Sequence, residues 1–254
     1  MNILSDHTIM HEPYNVGKLS FEFPNNSLEF LREAIKNLNE EDLKKARIGS
    51  KLAIDSASAI DRISALTNDK ELVTLLDALG SKKLKLDILS KLWLKIITCR
   101  RDRYCLDILL YKFFGVDCFE SRIEISIMKP GSFIPPHVDA IKKIFSGLIY
   151  LPSDIQNESL ELGTEFWRYD KSNYKNVHLD NPVDLKAFND NAILEYKAPF
   201  KKTGMVYFLR NSKSWHSVSK VSGEPRLSLN YNIQIKTSIT QAIKQKFKSL
   251  IKRN

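Results

Sequence analysis

The spacing of apolar residues changes along this chain, and that change is what most restricts the folds open to it. Before about residue 115, apolar side chains recur every three or four positions, as in SLEFLREAIKNL, which is the period of an amphipathic helix. After residue 120 they alternate, as in RIEISIM and RLSLNYNIQI, which is the period of a strand. The sequence therefore predicts an α+β protein with a helical N-terminal part and a mainly β core.

Three segments of the first part have the helical period. They are SLEFLREAIKNL, which Asn26 or Ser27 can cap, DKELVTLLDAL, which stops at Gly80, and KLKLDILSKLWLKII. Polar residues at the start of a helix and glycine at its end are common boundary signals. The segment SASAIDRISAL predicts a weaker fourth helix, and the basic segment ITQAIKQKFKSLIKRN predicts a short C-terminal helix.

Several short segments after residue 120 predict strands, with clusters of Pro, Gly, Asn and Ser between them. They are RIEISIM, FSGLIYL, AILEYKA, GMVYFL and RLSLNYNIQI. Short strands between turn signals are typical of a β-sandwich or barrel, and the polar stretch 170–191 predicts a long loop. We expect a helical region, 1–115, packed on a β core with its C-terminal helix, 116–254, and we expect one compact unit.

The net charge of the chain is +9, and apolar residues make up 43% of it. The content of Leu, Ile, Val and Phe excludes a mainly disordered chain. Because lysines are spread along the whole sequence, the charge predicts a solvated basic surface in preference to a nucleic-acid site. Three cysteines without CxxC spacing predict neither a disulfide framework nor a thiolate zinc site. The sequence also has no signal-peptide pattern and no apolar run long enough to span a membrane. Together with the cysteine pattern, these features predict a cytoplasmic protein.

Three residues form a candidate metal site. His137 and Asp139 stand at i and i+2 in HVD, so on an extended segment both side chains leave the same face. His216, in KSWHSV, must come from a distant strand. Two imidazoles and one carboxylate on one side of an ion leave positions open for other ligands, which suits Fe(II). Zinc is the alternative metal.

Arg226 and Ser228 form a candidate anion site. They also stand at i and i+2, in RLSLNYNIQI, and a guanidinium can donate two parallel hydrogen bonds to a carboxylate. Such a pair can hold the far carboxylate of a small diacid whose other end binds the metal. A lone arginine is more often a surface salt-bridge residue, but the apolar strand around Arg226 favours an inward cation.

The segment from about Ile123 to Ile235 resembles the Fe(II)- and 2-oxoglutarate-dependent dioxygenase superfamily, in its prolyl-hydroxylase-like branch. The matching stretches, in family order, are KPGSFIPPHVD, SGLIYLP, LGTEFWRY, TGMVYFLRNSKSWHSV and PRLSLNYNI. The resemblance implies a double-stranded β-helix, or jelly roll, with the metal inside its mouth. It implies that His137, Asp139 and His216 bind iron and that Arg226, Ser228 and Tyr150 bind 2-oxoglutarate.

The implied reaction is hydroxylation with O2, coupled to decarboxylation of 2-oxoglutarate to succinate, with ascorbate in support. Arg226 replaces the lysine usual in collagen-type prolyl hydroxylases, and Met128 replaces a tyrosine found in many relatives. Asn232 stands where nucleic-acid dealkylases have a second arginine. This difference counts against nucleic acid as the substrate. We therefore expect a small molecule, sugar or glycan precursor as substrate. A prolyl, asparaginyl or aspartyl protein hydroxylase and a non-catalytic jelly-roll binding protein are the alternatives.

Two aromatic residues, Trp167 and Tyr169, follow the glycine of LGTEFW. In relatives this strand can border the substrate opening, so both are candidate substrate contacts. Packing within the barrel is an equally good interpretation. Trp215 directly precedes His216, so strand alternation predicts that its side chain points away from the metal and into packing.

Overall fold

The computed structural model describes residues 3–21, 23, 26–38, 44–45, 51–55, 70–99, 109, 113, 118–154, 156, 158–169, 188–202 and 204–236. Its helices are α1 (Ser27–Lys36), α2 (Lys70–Gly80) and α3 (Lys82–Cys99). Its strands are β1 (Ile3–Met10), β2 (Val16–Phe21), β3 (Lys44–Lys45), β4 (Leu52–Asp55), β5 (Phe119–Met128), β6 (Ile134–His137), β7 (Lys143–Tyr150), β8 (Thr164–Arg168), β9 (Ile193–Lys197), β10 (Met205–Leu209), β11 (Trp215–Val218) and β12 (Arg226–Ile235).

The strands form two antiparallel sheets. The major sheet has the order β1-β2-β10-β7-β12-β5-β4-β3, and the minor sheet has the order β6-β11-β8-β9. Strands that are neighbours in each sheet are often distant in sequence, as expected for a jelly roll. The prediction of a β core of this kind with a helical layer is confirmed. The predicted C-terminal helix lies outside the described residues, as does the segment SASAIDRISAL.

The two faces of the major sheet have different environments. On β12, alternate residues such as Leu227, Leu229 and Tyr231 belong to the same buried apolar cluster as the helices. The intervening residues, among them Arg226 and Ser228, lie on the opposite face, which is turned to the minor sheet. Helices therefore cover one side of the sheet, and the other side is free to line a site between the two sheets.

The three helices follow the predicted spacing. In α2 the buried residues are Leu72, Leu75, Leu76 and Leu79, so one apolar stripe packs on the sheet. Asn26 precedes α1 in the left-handed conformation and makes no side-chain cap hydrogen bond. Its backbone carbonyl accepts from Glu29 N at 2.9 Å. None of the helices in the described part of the chain is long and apolar enough to cross a membrane.

The N-terminal part also contributes strands, which the sequence did not predict. The β1–β2 hairpin pairs with β10 through β2, and β4 pairs with β5. Strands from both sides of residue 115 therefore lie in one sheet. The mixed polar and apolar composition of ILSDHTIM does not predict strand β1. An edge strand needs little apolar surface, because backbone pairing with its neighbour holds it in place.

Candidate metal and anion site

The three predicted metal ligands meet between the sheets. His137 ends β6 and lies directly opposite His216 of β11 in the antiparallel register. Asp139 follows β6, and one donor atom from each of the three residues lies within 4.8 Å of the others. The predicted cluster is therefore formed, with two imidazoles and one carboxylate.

The position of β6 follows from its sequence, IPPH. Proline has no N–H group to donate to a neighbouring strand, so Pro135 and Pro136 confine β6 to the edge of a sheet. The minor sheet has β6 at its edge, beside β11. His137 and Asp139 therefore lie at a margin of the barrel, where a ligand can reach them.

Backbone carbonyls orient both imidazoles. Nδ1 of His137 lies 2.9 Å from Pro135 O, and Nδ1 of His216 lies 3.0 Å from Ser214 O. A carbonyl oxygen can only accept, so each Nδ1 carries the proton and each Nε2 keeps its lone pair for a metal. Burial, together with the neighbouring His216, lowers the pKa of His137 to about 3, and burial also lowers the pKa of His216. Both rings are therefore neutral at physiological pH, as metal ligation requires.

Both oxygens of the Asp139 carboxylate accept hydrogen bonds. Lys143 Nζ donates to Oδ1 at 2.8 Å and Ser146 Oγ donates to Oδ2 at 2.6 Å. Burial by itself would raise the pKa of Asp139, but the Lys143 ammonium and the two imidazoles outweigh it and lower the pKa well below its usual value. Arg210 Nε holds the Asp139 backbone oxygen at 3.1 Å. The carboxylate is thus ionised and fixed in place.

The predicted anion site contains a buried cation. Arg226 is 2% exposed, and its Nε donates to Leu162 O at 2.6 Å. Its two terminal nitrogens each lie 3.3 Å from a hydroxyl, Nη1 from Ser228 Oγ and Nη2 from Thr164 Oγ1. Within the described residues, no carboxylate pairs with this guanidinium. Burial lowers the pKa of Arg226, but an arginine stays charged in a protein. A buried, unpaired charge is costly, so this position is suited to an anionic ligand.

Tyr150, the third residue predicted for this site, lies beside Arg226. Its ring, like that of Phe200, lies 5.3 Å from the Arg226 guanidinium carbon. Its hydroxyl donates to Thr164 Oγ1 at 2.9 Å and accepts from Thr164 N at 3.3 Å. Burial raises the pKa of Tyr150, so the phenol is neutral and can donate a hydrogen bond.

The metal and anion sites lie on the same face of β7. Ser146, which contacts Asp139, and Tyr150, which contacts the Arg226 pocket, are separated by an even number of residues, so both side chains leave that face. Their Cα atoms are roughly 13 Å apart, at about 3.3 Å per strand residue. The side chains of the metal site and of the Arg226 pocket reach into this interval from its two ends. A small molecule with two acidic ends can therefore contact both sites.

Thr164 was not assigned a role from the sequence, although it lies in the stretch LGTEFW. It is opposite Val218 in the pairing of β8 with β11, while Phe166 is opposite His216, so Thr164 faces the site. The preceding Gly163 lets β8 approach β9 closely, because a Cβ there would lie 1.6 Å from Ala198 O. The alternation of β8 was visible in the sequence, but the face that turns inward depends on its pairing.

Trp167 and Tyr169 are not brought to the metal. Trp167 is opposite Trp215 in the strand register, and Tyr169 packs against Trp215 with ring centroids 5.4 Å apart. Phe188 closes this cluster at 4.9 Å from the Tyr169 ring. The cluster lies on the face of the minor sheet opposite to His216, because successive strand residues alternate. The Trp215 side chain points away from His216, as predicted. Trp167 and Tyr169 pack within this cluster, in agreement with the packing interpretation.

Tyr14 is a further residue beside the site that sequence analysis missed. Its buried hydroxyl donates to Trp215 O and accepts from Trp167 N at 3.2 Å, so it ties β11 to β8 next to His216. Burial raises the pKa of this phenol, so it stays protonated. No signal in the local sequence marks this role, because both partners are backbone groups of distant strands.

Comparison with known proteins gives matches in structure only. No protein-family model and no curated protein matches the sequence. A prolyl-4-hydroxylase from Pseudomonas putida is 12% identical, over 89% of this chain and 95% of its own, with a TM-score of 0.51. A 2OG-Fe(II) oxygenase family oxidoreductase from Burkholderia pseudomallei is 17% identical, over 84% and 80%, with a TM-score of 0.40. HygX from Streptomyces hygroscopicus, with nickel, 2-oxoglutarate and hygromycin B bound, is 12% identical, over 87% and 83%, with a TM-score of 0.44.

At this identity, the likeness to the Pseudomonas putida enzyme establishes the fold alone. The likeness extends over nearly the whole of both chains, so it includes the helical part as well as the two sheets. The resemblance predicted from the motifs around His137, His216 and Arg226 is therefore confirmed at the level of the fold. This chain has the jelly-roll fold of the Fe(II)- and 2-oxoglutarate-dependent dioxygenases, in the form found in a prolyl-4-hydroxylase.

Proposed function

We propose that this protein is an Fe(II)- and 2-oxoglutarate-dependent dioxygenase that hydroxylates a small molecule, sugar or glycan precursor. One observation carries the proposal. A buried arginine without a carboxylate partner among the described residues, Arg226, lies on the same inner side of the barrel as the cluster of His137, Asp139 and His216. A metal site needs no such cation, whereas a diacid bound to that metal does.

The residues present fit both groups. Two neutral imidazoles with free Nε2 atoms and one ionised carboxylate are the donors that non-haem Fe(II) takes in a facial arrangement. Iron bound there would supply the activation of O2, with oxidation of 2-oxoglutarate to succinate and carbon dioxide. The work of the protein is to hold the reactants in position and to exclude water.

Arg226 is placed to bind the far carboxylate of 2-oxoglutarate. Its Nε is held by Leu162 O at 2.6 Å, which fixes the plane of the guanidinium. Its Nη1 and Nη2 contacts to hydroxyls are long, at 3.3 Å. Each of these nitrogens carries two N–H groups, so both can donate to a carboxylate. Ser228 can then donate to the same anion, and Tyr150 can do so when its hydroxyl turns away from Thr164 Oγ1.

Apolar side chains line the path between the two sites. Phe208 lies 4.4 Å from the His216 ring, and its apolar cluster includes Phe166, Val218 and Tyr150. Such a lining excludes water and lowers the local dielectric constant, which strengthens the contact between Arg226 and a carboxylate.

The proposal is tested by 2-oxoglutarate turnover. We expect succinate to form when the protein is supplied with Fe(II), ascorbate and 2-oxoglutarate, and we expect His137→Ala to abolish it. His7→Ala is a matched control, because His7 lies on β1, at the edge of the major sheet. Equal turnover by wild type and His137→Ala would refute the iron assignment. Binding of Ni(II) and 2-oxoglutarate without any turnover would favour the non-catalytic alternative.

A further inference from the structure

The turn between β6 and β7 places a lysine on the carboxylate of Asp139. A hydrogen bond from Lys143 N to Ala140 O at 2.9 Å closes this turn, and Ile235 N of β12 donates to Lys142 O at 3.0 Å. Lys143 is the first residue of β7 and stands four positions after Asp139. Its Nζ donates to Asp139 Oδ1 at 2.8 Å. The backbone of the turn therefore fixes where this ammonium group lies.

The ion pair between Lys143 and Asp139 is largely withdrawn from solvent. The Asp139 side chain is 8% exposed and the Lys143 side chain is 27% exposed. Water and salt screen such a pair less than they screen an ion pair on the surface. The charge of Lys143 therefore acts on any ion that the Asp139 carboxylate binds.

Two other side chains bond to Asp139, and each differs from Lys143 in one respect. Ser146 donates to the carboxylate, at Oδ2, but its hydroxyl is neutral. Arg210 is a cation, but its Nε donates to the backbone oxygen of Asp139, at 3.1 Å. Lys143 combines the two properties, because it carries a charge and bonds to the carboxylate itself.

We propose that Lys143 acts through Asp139 as a positioning residue that raises the reduction potential of iron at this site and so favours the ferrous form. Ferric iron carries one more positive charge than ferrous iron, so a nearby ammonium group destabilises the ferric form more. The hydrogen bond also draws electron density from the carboxylate, which becomes a weaker donor to the metal. Both effects raise the potential. This inference rests on the proposed function, which requires Fe(II).

The test is a redox titration of the iron-loaded protein without 2-oxoglutarate, in which electron paramagnetic resonance measures the ferric fraction. Lys143→Met removes the ammonium group and keeps an unbranched apolar stem. We expect the ratio of ferrous to ferric protein at a fixed potential to fall about ten-fold, which corresponds to about 59 mV for a one-electron couple. Lys143→Arg keeps a charged donor for the same oxygen, so its ratio should stay within about two-fold of wild type.

Two control variants separate the charge of Lys143 from other effects. Lys142→Met removes the adjacent lysine, which is exposed and therefore well screened, so the potential should not change. Ser146→Ala removes a neutral hydrogen bond to the same carboxylate, so it should shift the potential less than Lys143→Met does. If Lys143 only held the carboxylate in place, Lys143→Met would weaken metal binding, which calorimetry measures, without lowering the potential.

The inference is overturned if Lys143→Met leaves the potential unchanged or raises it, or if Lys143→Arg or Ser146→Ala shifts it as far as Lys143→Met does. Should Lys143→Met not fold, Lys143→Gln takes its place, and it should lower the potential because it also lacks the charge. The titration contains no 2-oxoglutarate, so a protein that shows the shift but forms no succinate would contradict the proposed reaction and not the role of Lys143. Failure of wild type to bind Fe(II) would refute both.

Discussion

The Ser146 hydroxyl donates a 2.6 Å hydrogen bond to Oδ2 of Asp139. Ser146 lies on β7 of the major sheet, whereas Asp139 follows β6 of the minor sheet. This contact therefore joins the two sheets beside the candidate metal ligands and holds the carboxylate in one orientation.

We predict that Ser146→Ala lowers the affinity for Ni(II) or Fe(II) about 10- to 100-fold, as is typical when a partner of a metal ligand is removed. Calorimetry measures the affinity, and the absorption spectrum of bound Co(II) reports a change in coordination. Ser126→Ala is the control, because Ser126 is buried in β5 on the same side of the sheet and Asp139 bonds to Ser146 instead. Ser146→Thr keeps the hydroxyl and should restore the affinity. Unchanged metal binding in Ser146→Ala would contradict this role.

Replacing Arg226 should have opposite effects on binding and on stability. Arg226→Met removes the charge-assisted hydrogen bonds to 2-oxoglutarate, at about 1.5–3 kcal/mol for a charged partner, so we expect at least about ten-fold weaker binding. Without ligand, the same variant should unfold at a higher temperature than wild type, because it no longer buries an unpaired cation.

Thermal unfolding with and without 2-oxoglutarate measures both effects. Arg226→Lys keeps a charge but loses the planar, two-pronged donor, so its affinity should fall between those of wild type and Arg226→Met. A methionine variant that is both less stable and unchanged in 2-oxoglutarate affinity would contradict the assignment.

Thr164→Val and Tyr150→Phe should act through one shared contact. The Tyr150 hydroxyl donates to Thr164 Oγ1 at 2.9 Å, and each variant removes a hydroxyl with little change of shape. We expect each variant to weaken 2-oxoglutarate binding. The double variant should lose less binding free energy than the sum of the two single losses, because residues in contact are coupled. Calorimetry of the four proteins measures the coupling. Strictly additive losses would show that the two hydroxyls act independently.

The Glu165 carboxylate should make stability depend on pH below neutrality. Burial raises its pKa, but hydrogen bonds from Ser217, Ser219 and Lys197 outweigh burial, so the folded pKa is lowered from 4.5. A lowered folded pKa means that this stabilisation is present above the unfolded pKa and is lost as pH falls through the folded pKa. Denaturant unfolding should show that the stability difference between wild type and Glu165→Gln is constant near neutral pH and shrinks as pH falls below 4.5. A difference that grew at acid pH would contradict this assignment.

The short motifs were predictable because strand alternation is a local property. His137 and Asp139 share a face through their spacing alone, and so do Arg226 and Ser228. The helices α2 and α3 were predictable for the same reason, since their apolar period is contained in one segment. The strand β1 was not, because its sequence is mixed and its pairing with β2 and β10 stabilises it.

The candidate site residues could be identified from the sequence alone: two histidines, an aspartate and an arginine in an apolar strand. Only the tertiary structure decided what surrounds them. The register between β6 and β11 places His216 opposite His137, and the pairing of β7 with β12 sets Asn232 beside Ser146. The same packing turns Thr164 inward and Trp167 outward. Alternation of side chains defines two faces for every strand, and it is a local property of the sequence. Which of the two faces turns inward depends on which distant strands pair and on which surfaces the two sheets bury between them.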